Sequence, residues 1–216
     1  MKLVQITRAG AIRVGSPADF AEARAEFERR QCLVLEQLIA PPLLETIQRR
    51  LAASDFTERL NKGVGTELRL PPGPLSGALE FLTNDPVLFA AIEEITGCEP
   101  IGCYRGRVYR MQPAAGHASG WHNDLSDGRM ITMSVNLSEG VFEGGDLQLR
   151  EVGSEQLLAQ VRNTGFGDAV IFRIDRALEH QVLPLTGTVE RSAYAGWFQP
   201  HPSYAALLNS RLEQTA

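Results

Sequence analysis

The segment Trp121-His122-Asn123-Asp124 sets two potential metal ligands two positions apart. On an extended backbone such residues leave the same face, so His122 and Asp124 can share one ion. A third candidate, His180 in Leu178-Glu179-His180-Gln181-Val182, follows the apolar run Ala169-Val170-Ile171-Phe172. Two imidazoles and one carboxylate form a facial triad that leaves three coordination positions open, an arrangement suited to non-haem iron(II) that activates dioxygen. A histidine taken alone is more often a surface or hydrogen-bonded residue than a ligand. The ordered combination carries the reading.

Arg191 is the fourth element, with residues 181–190 between it and His180. The turn at 184–187 can bring the next strand back alongside the metal. A guanidinium there can take a carboxylate through two parallel hydrogen bonds, which a lysine holds less directionally. That suits a dicarboxylate cosubstrate. The competing reading of Arg191 is an ordinary surface ion pair of little energetic weight.

Several elements must position these groups. Residues 17–30 have helical spacing and feed the short apolar strand Cys32-Leu33-Val34-Leu35. Pro41-Pro42 opens a second helix through Leu51, proline being well tolerated in a first turn. A third helix starts at Asn84 or Asp85, with Pro86 in its first turn, and ends at Gly97. Between them, Gly63, Gly65 and Pro71-Pro72-Gly73-Pro74 suggest a surface loop or lid over 54–76. From about residue 101 the period changes to two, with strands expected at Val108, 129–137, 147–149, 170–172 and 194–198. Gly-rich turns such as Glu143-Gly144-Gly145-Asp146 separate them, which favours a sandwich or barrel over a parallel sheet. Arg107, Tyr109 and Met111 alternate onto one face of the strand leading to the metal segment. His117, in the loop 113–120, is expected to be solvated or to face substrate.

At this point the sequence resembles the 2-oxoglutarate and iron(II)-dependent oxygenase superfamily, especially its prolyl-4-hydroxylase-like branch. The resemblance covers residues 104–198 well and the N-terminal helices loosely. It rests on His122–Asp124, the Gly144-Gly145-Asp146-Leu147 turn, His180, and Arg191 opening the strand to Phe198. The resemblance implies an α+β fold: a double-stranded β-helix, or jelly roll, with the N-terminal helices packed outside. It implies Fe(II) on His122, Asp124 and His180, with 2-oxoglutarate and O2 as cosubstrates. Arg191 would pair with the distal carboxylate of 2-oxoglutarate, and Trp197, in phase along the strand, would form an aromatic wall. Leu147 and Val182 would be apolar contacts; Tyr109, by the strand alternation, is expected to touch substrate or cosubstrate, with barrel packing as the alternative reading. Asn136 replaces a tyrosine that often assists the arginine, and Ala193 stands where many relatives carry a serine. The implied reaction is hydroxylation of an unactivated C–H bond on a small molecule or a protein side chain, with release of succinate and CO2. Asp124 favours hydroxylation over halogenation, because halogenating relatives carry a small residue there. A jelly roll that binds a ligand or partner without turnover is the alternative.

The 216 residues favour one domain, with a helical part over about 1–100 and a β core over about 101–200. A chain this long can bury about 70% of its unfolded surface. With 44% hydrophobic and 22% charged residues it falls in the ordinary globular class. The net charge is -5 and no Lys/Arg stripe runs along the chain, so nucleic acid is not an expected partner. No run of roughly 18 apolar residues occurs, so no membrane partner is expected, and the N-terminus lacks a signal-like apolar core. We expect a cytoplasmic protein. Cys32, Cys98 and Cys103 have neither disulfide-framework nor zinc spacing and are expected to be free thiols.

Overall fold

The computed structural model describes every residue except 62–64, 114–116, 127 and 216. Gly63, and Ala114, Ala115 and Gly116 of the loop before the first ligand, therefore lie outside the described residues.

The chain begins with a small antiparallel hairpin, β1 (Val4–Thr7) and β2 (Gly10–Arg13). Helix α1 (Pro17–Arg30) starts where expected because Ser16 and Asp19 form a capping box, and Pro17 fills the first turn. It buries Phe20, Ala23 and Phe27 along one face and ends at Gln31 in the left-handed region, φ 55°. The turn delivers the chain directly into β3 (Cys32–Leu35). Helix α2 (Pro41–Ala52) buries Leu43, Leu44, Ile47 and Leu51.

Residues 54–76 depart from the expected loop. They form a hairpin, β4 (Thr57–Asn61) and β5 (Gly65–Arg69), and the start of helix α3 (Pro74–Thr83). Gly65 opens β5 and so belongs to a hairpin strand, not to an extended lid. Pro74 sits in a helix's first turn, where a missing N–H costs nothing. Helix α4 (Pro86–Thr96) is capped by Asp85, whose carboxylate accepts from the Val87 amide, and closes at Gly97 with φ 62°.

The β core follows: β6 (Cys103–Met111), β7 (Ser119–His122), β8 (Ile131–Asn136), β9 (Leu147–Glu151), β10 (Leu157–Val161), β11 (Ala169–Arg173), β12 (Leu178–Val182) and β13 (Arg191–Gln199), before the closing helix α5 (Tyr204–Thr215). They assemble into a seven-stranded sheet, order β3-β11-β8-β13-β6-β5-β4, and a four-stranded one, order β10-β9-β12-β7. Every pairing in the two sheets is antiparallel. This is the expected jelly-roll architecture.

The strand period decides what each face does. On β8, Ile131, Met133 and Val135 are fully buried in a cluster with Phe20, Phe27, Leu88 and Ile92 of the helices. Thr132, Ser134 and Asn136, two apart, line the cavity between the sheets. Each fully buried Phe or Leu contributes roughly 1.5–3 kcal/mol, so the helical layer anchors the large sheet. A second cluster fills the space between the sheets with Leu147, Leu149, Val170, Phe172 and Leu178. Among the described residues, no helix is long and apolar enough to cross a membrane. Cys32 and Cys103 are buried and Cys98 is half-buried, all three free; burial pushes the Cys32 thiol up to about 12.

Candidate active site

His122 ends β7 and His180 lies in the middle of β12, where the two are directly paired in register. Their rings come to 4.2 Å between centroids, and Phe172 packs against His180 at 4.6 Å. Asp124 lies just past the end of β7. One carboxylate oxygen is 3.7 Å from His122 Nε2 and the other 3.5 Å from His180 Nε2. The three donor atoms lie within 4.8 Å of one another, and among the described residues this is the group of His, Cys, Asp and Glu able to hold an ion.

The surroundings prepare the donors. His122 Nδ1 lies 2.6 Å from the Gly120 carbonyl, to which it donates in the tautomer that leaves Nε2 free for a metal. Burial alone would raise the Asp124 carboxyl, but hydrogen bonds from His180 and Trp197 outweigh it and bring the group down to about 2. Burial, with His122 nearby, holds His180 below the ordinary imidazole range although Asp124 opposes this. A carboxylate and a neutral imidazole are the forms that ligate a metal. The donor set therefore fits iron(II): mixed nitrogen and oxygen ligands, three in number, on one side of an open cavity.

That cavity, about 490 Å³, runs between the two sheets from the triad to Arg191. Arg191 opens β13 and is surrounded by apolar groups. Its guanidinium lies 5.8 Å from the Tyr109 ring and 5.7 Å from the Phe142 ring. Its polar contacts are one long hydrogen bond to the Gly145 carbonyl, 3.4 Å, and one to the Met111 sulfur, 3.8 Å. Among the described residues no carboxylate reaches ion-pair distance, so the surface-pair reading of Arg191 fails. Gly144 and Gly145 have φ of +72° and +67°, and a Cβ on Gly144 would fall 2.5 Å from the Pro184 carbonyl. The Gly-Gly turn is thus needed both for its conformation and for close packing beside the arginine.

The structure brings all the expected site residues to this cavity: Tyr109, Asn136, Leu147, Val182 and Trp197 line it with the triad and Arg191. Leu147 and Val182 are register partners across β9 and β12. Two of them do more than line it. The Trp197 indole N–H donates to Asp124 Oδ2 at 2.9 Å, fixing a ligand's orientation. The Asn136 amide donates to the Thr164 and Gly165 carbonyls, at 2.9 and 3.3 Å, and its carbonyl accepts from the Ser138 amide at 3.0 Å, so this side chain braces the neighbouring loop. His117 corrects an expectation. It is 4% exposed and its Nδ1 accepts from the Gln112 amide at 2.9 Å, so it pins the loop and is not solvated.

Other cavity residues went unnoticed in the sequence. Thr132 Oγ1, Ser134 Oγ and Arg129 Nε are buried without a hydrogen-bond partner among the described residues, and all three residues line the cavity. Buried polar atoms are normally paired, so unpaired ones along a cavity wall mark where a ligand is received. The signal was present as alternating polar residues in an otherwise apolar strand, Thr132, Ser134 and Asn136. Arg129 lies over the Trp197 ring at 3.7 Å, and Arg107 forms a two-point pair with Glu67 at 2.8 and 3.3 Å.

Residues 106–199 match the sequence model of the 2OG-Fe(II) oxygenase superfamily. No curated protein matches the chain by sequence. Among solved structures, a 2OG-Fe(II) oxygenase family oxidoreductase from Burkholderia pseudomallei is similar at 15% identity, with a TM-score of 0.67 over 88% of this chain and 95% of that one. A Pseudomonas putida prolyl-4-hydroxylase is similar at 18% identity and TM-score 0.63, over 84% and 99%. The alpha-ketoglutarate-dependent epimerase SnoN from nogalamycin biosynthesis is similar at 17% identity and TM-score 0.63, over 85% and 84%. At these identities the structural likeness speaks for the fold alone. The resemblance read in the sequence and the jelly roll it implied are both borne out. Fe(II), 2-oxoglutarate and O2 are the cofactors of that superfamily, and the His122, Asp124 and His180 group is present to hold the metal.

Proposed function

We propose that the protein is a 2-oxoglutarate- and Fe(II)-dependent dioxygenase that hydroxylates an unactivated C–H bond of a small molecule or a protein side chain, a reading supported by the match of residues 106–199 to the 2OG-Fe(II) oxygenase superfamily. The observation that carries this reading is the pairing of two ends of one cavity. A three-donor metal group stands at one, and a guanidinium without a carboxylate partner among the described residues stands in apolar surroundings at the other.

Each side chain then has a task. His122, Asp124 and His180 hold iron, and Trp197 keeps Asp124 turned toward it through the indole N–H. Arg191 receives the distal carboxylate of 2-oxoglutarate, where low polarity makes a charge-assisted pair strong. Tyr109, Leu147 and Val182 form the walls that keep water from the acid's carbon chain. Asn136 supports the wall through the 164–165 loop. Iron with its cosubstrates supplies the oxidising power, with 2-oxoglutarate converted to succinate and CO2 as one oxygen atom enters the substrate.

Anaerobic addition of Fe(II) and 2-oxoglutarate should produce the weak visible charge-transfer band of a chelated cosubstrate. Absence of the band would refute the reading. An epimerase shares the fold, so hydroxylation is tested separately, by incorporation of label from 18O2 into the product. Succinate release with no label in the product would exclude it.

A further inference from the structure

The cavity does not end at the iron ligands. Beyond them it opens into an outer cleft of about 870 Å³, and Arg69, Arg107, Arg129 and Trp197 line both. Arg59 and Arg105 line the cleft farther out. Arg211 lines it too but is paired with Glu80 at 2.8 Å, which leaves five other guanidinium groups at the mouth of a protein whose net charge is -5. Their described carboxylate partners are few. Glu67 is held on Arg107. Asp124 is a metal ligand, and Arg129 approaches it only at 3.7 Å. Among the described residues no carboxylate comes within ion-pair distance of Arg59, Arg69 or Arg105.

The cations are gathered by construction. Arg107 and Arg129 both lie against one indole, at 5.3 and 3.7 Å from the Trp197 ring, a favourable place for two cations that repel each other. Arg129 also keeps its buried Nε without a partner among the described residues. Arg69 is exposed, yet partial desolvation by the cleft wall, together with repulsion from Arg107, holds its guanidinium below its ordinary range despite Glu67 nearby. Gathering like charges in a partly dry cleft costs free energy unless an anion enters, and such a cleft concentrates and steers anions. Arg191 is separate from this cluster: its guanidinium lies by Tyr109, Met111 and Phe142 at the start of β13, whereas Arg107 and Arg129 lie against Trp197 near the end of that strand.

We infer that the substrate is an anion whose carboxylate, phosphate or sulfate group sits among Arg69, Arg107 and Arg129 while its reacting carbon faces the triad. The second half of this statement rests on the proposed dioxygenase activity; the first half does not. Trp197 links the two, carrying Arg129 on its ring and holding Asp124 with its N–H. An anion seated there lies one side chain from the metal.

The test uses phenyl phosphate and phenol on the metal-free full-length protein, read by the fluorescence of its two tryptophans. Phenyl phosphate should bind saturably and phenol should not. Arg69→Gln should weaken phenyl phosphate at least about tenfold, the loss expected for a charge-assisted contact. Arg69 is exposed, so this variant should keep the wild-type unfolding midpoint. Glu67→Gln should tighten binding by releasing Arg107. Equal binding of phenol, unchanged affinity in Arg69→Gln, or a loss found only in Arg191→Met would overturn the inference. This arm needs no iron, so it stays readable if the charge-transfer band fails to form. Two further arms identify the source of the anion. Succinate release driven by small acids or phosphorylated compounds puts the anion on a metabolite, and release driven by an acidic peptide alone puts it on a polypeptide. Release driven by neutral compounds, at a rate unchanged by Arg69→Gln, would overturn it.

Discussion

The two sheets that enclose the cavity are built differently. The large sheet has nine-residue strands in β6 and β13 and is backed by the helices through a cluster that includes Phe20, Phe27, Tyr104, Met133 and Phe198. The small sheet has strands of four or five residues. Polar contacts dress its residues: Arg150 with Glu179 at 2.7 Å, Gln181 with Gln148 at 2.7 Å, and Arg150 over Trp121 at 3.8 Å. Yet the small sheet supplies both histidines of the candidate metal group, while the large one supplies Arg191, Tyr109 and Trp197. On the proposed reading the organic acid is held by the wall that the helices back, and the metal by a wall whose order depends more on local contacts.

That difference makes metal binding a stabiliser of the small sheet in particular, since a ligand stabilises whatever its binding orders. Loading with Fe(II), or with Mn(II) as a redox-stable substitute, should slow amide exchange in β7 and β12 more than in β8 and β13. Equal protection in both sheets would break the comparison. His180→Ala should abolish succinate formation with any substrate and lower metal affinity by more than about 100-fold, because changing an outer partner alone costs about 10–100-fold. Unchanged turnover would refute the ligand assignment.

A change in the large sheet should separate cosubstrate from metal. Arg191→Met removes the guanidinium and keeps the apolar volume, so it should weaken 2-oxoglutarate by about 2–5 kcal/mol, at least about 30-fold. Metal binding, measured without cosubstrate, should stay near wild type. Trp197→Phe tests where the sheets meet. Its ring is retained while the hydrogen bond to Asp124 is lost, so metal affinity should fall about tenfold. A fall in 2-oxoglutarate affinity with no change in metal affinity would reassign Trp197 to a plain wall.

How far these features were legible in the sequence follows the same division. His122, Asp124, His180 and Arg191 were readable because each has a chemistry few other residue types share and their order is fixed. The Asp85 cap and the Gly97 end of α4 were readable because capping is local. The β4–β5 hairpin was not, since its place depends on pairing with β6 through Leu68 and Arg69, a long-range contact that breaker residues do not encode. His117 was misjudged for a similar reason. Its burial depends on the Gln112 amide turning toward it, which no local pattern announces. The arginine mouth was hidden because Arg59, Arg69, Arg105, Arg107 and Arg129 come from β4, β5, β6 and the loop before β8, and converge only in three dimensions.

The smallest expected effect is the one with the most telling sign. Ser134 sits on the large sheet beside Ala195 and Val170, and its buried hydroxyl is without a partner among the described residues. A hydroxyl that serves only the fold is hydrogen-bonded, and removing it destabilises; one kept for a ligand is a cost to the empty protein. Ser134→Ala should therefore leave the unfolding midpoint of the metal-free protein unchanged or raise it by about 2–4 °C, the shift that 1 kcal/mol gives in a chain of this size. In the same variant 2-oxoglutarate should bind about two- to tenfold more weakly, the range for one net hydrogen bond. Thr132→Val, which keeps side-chain shape, should repeat the pattern. A lower midpoint with unchanged cosubstrate affinity would show that a water already satisfies the hydroxyl, and the large sheet would then hold the acid through Arg191 and its apolar walls alone.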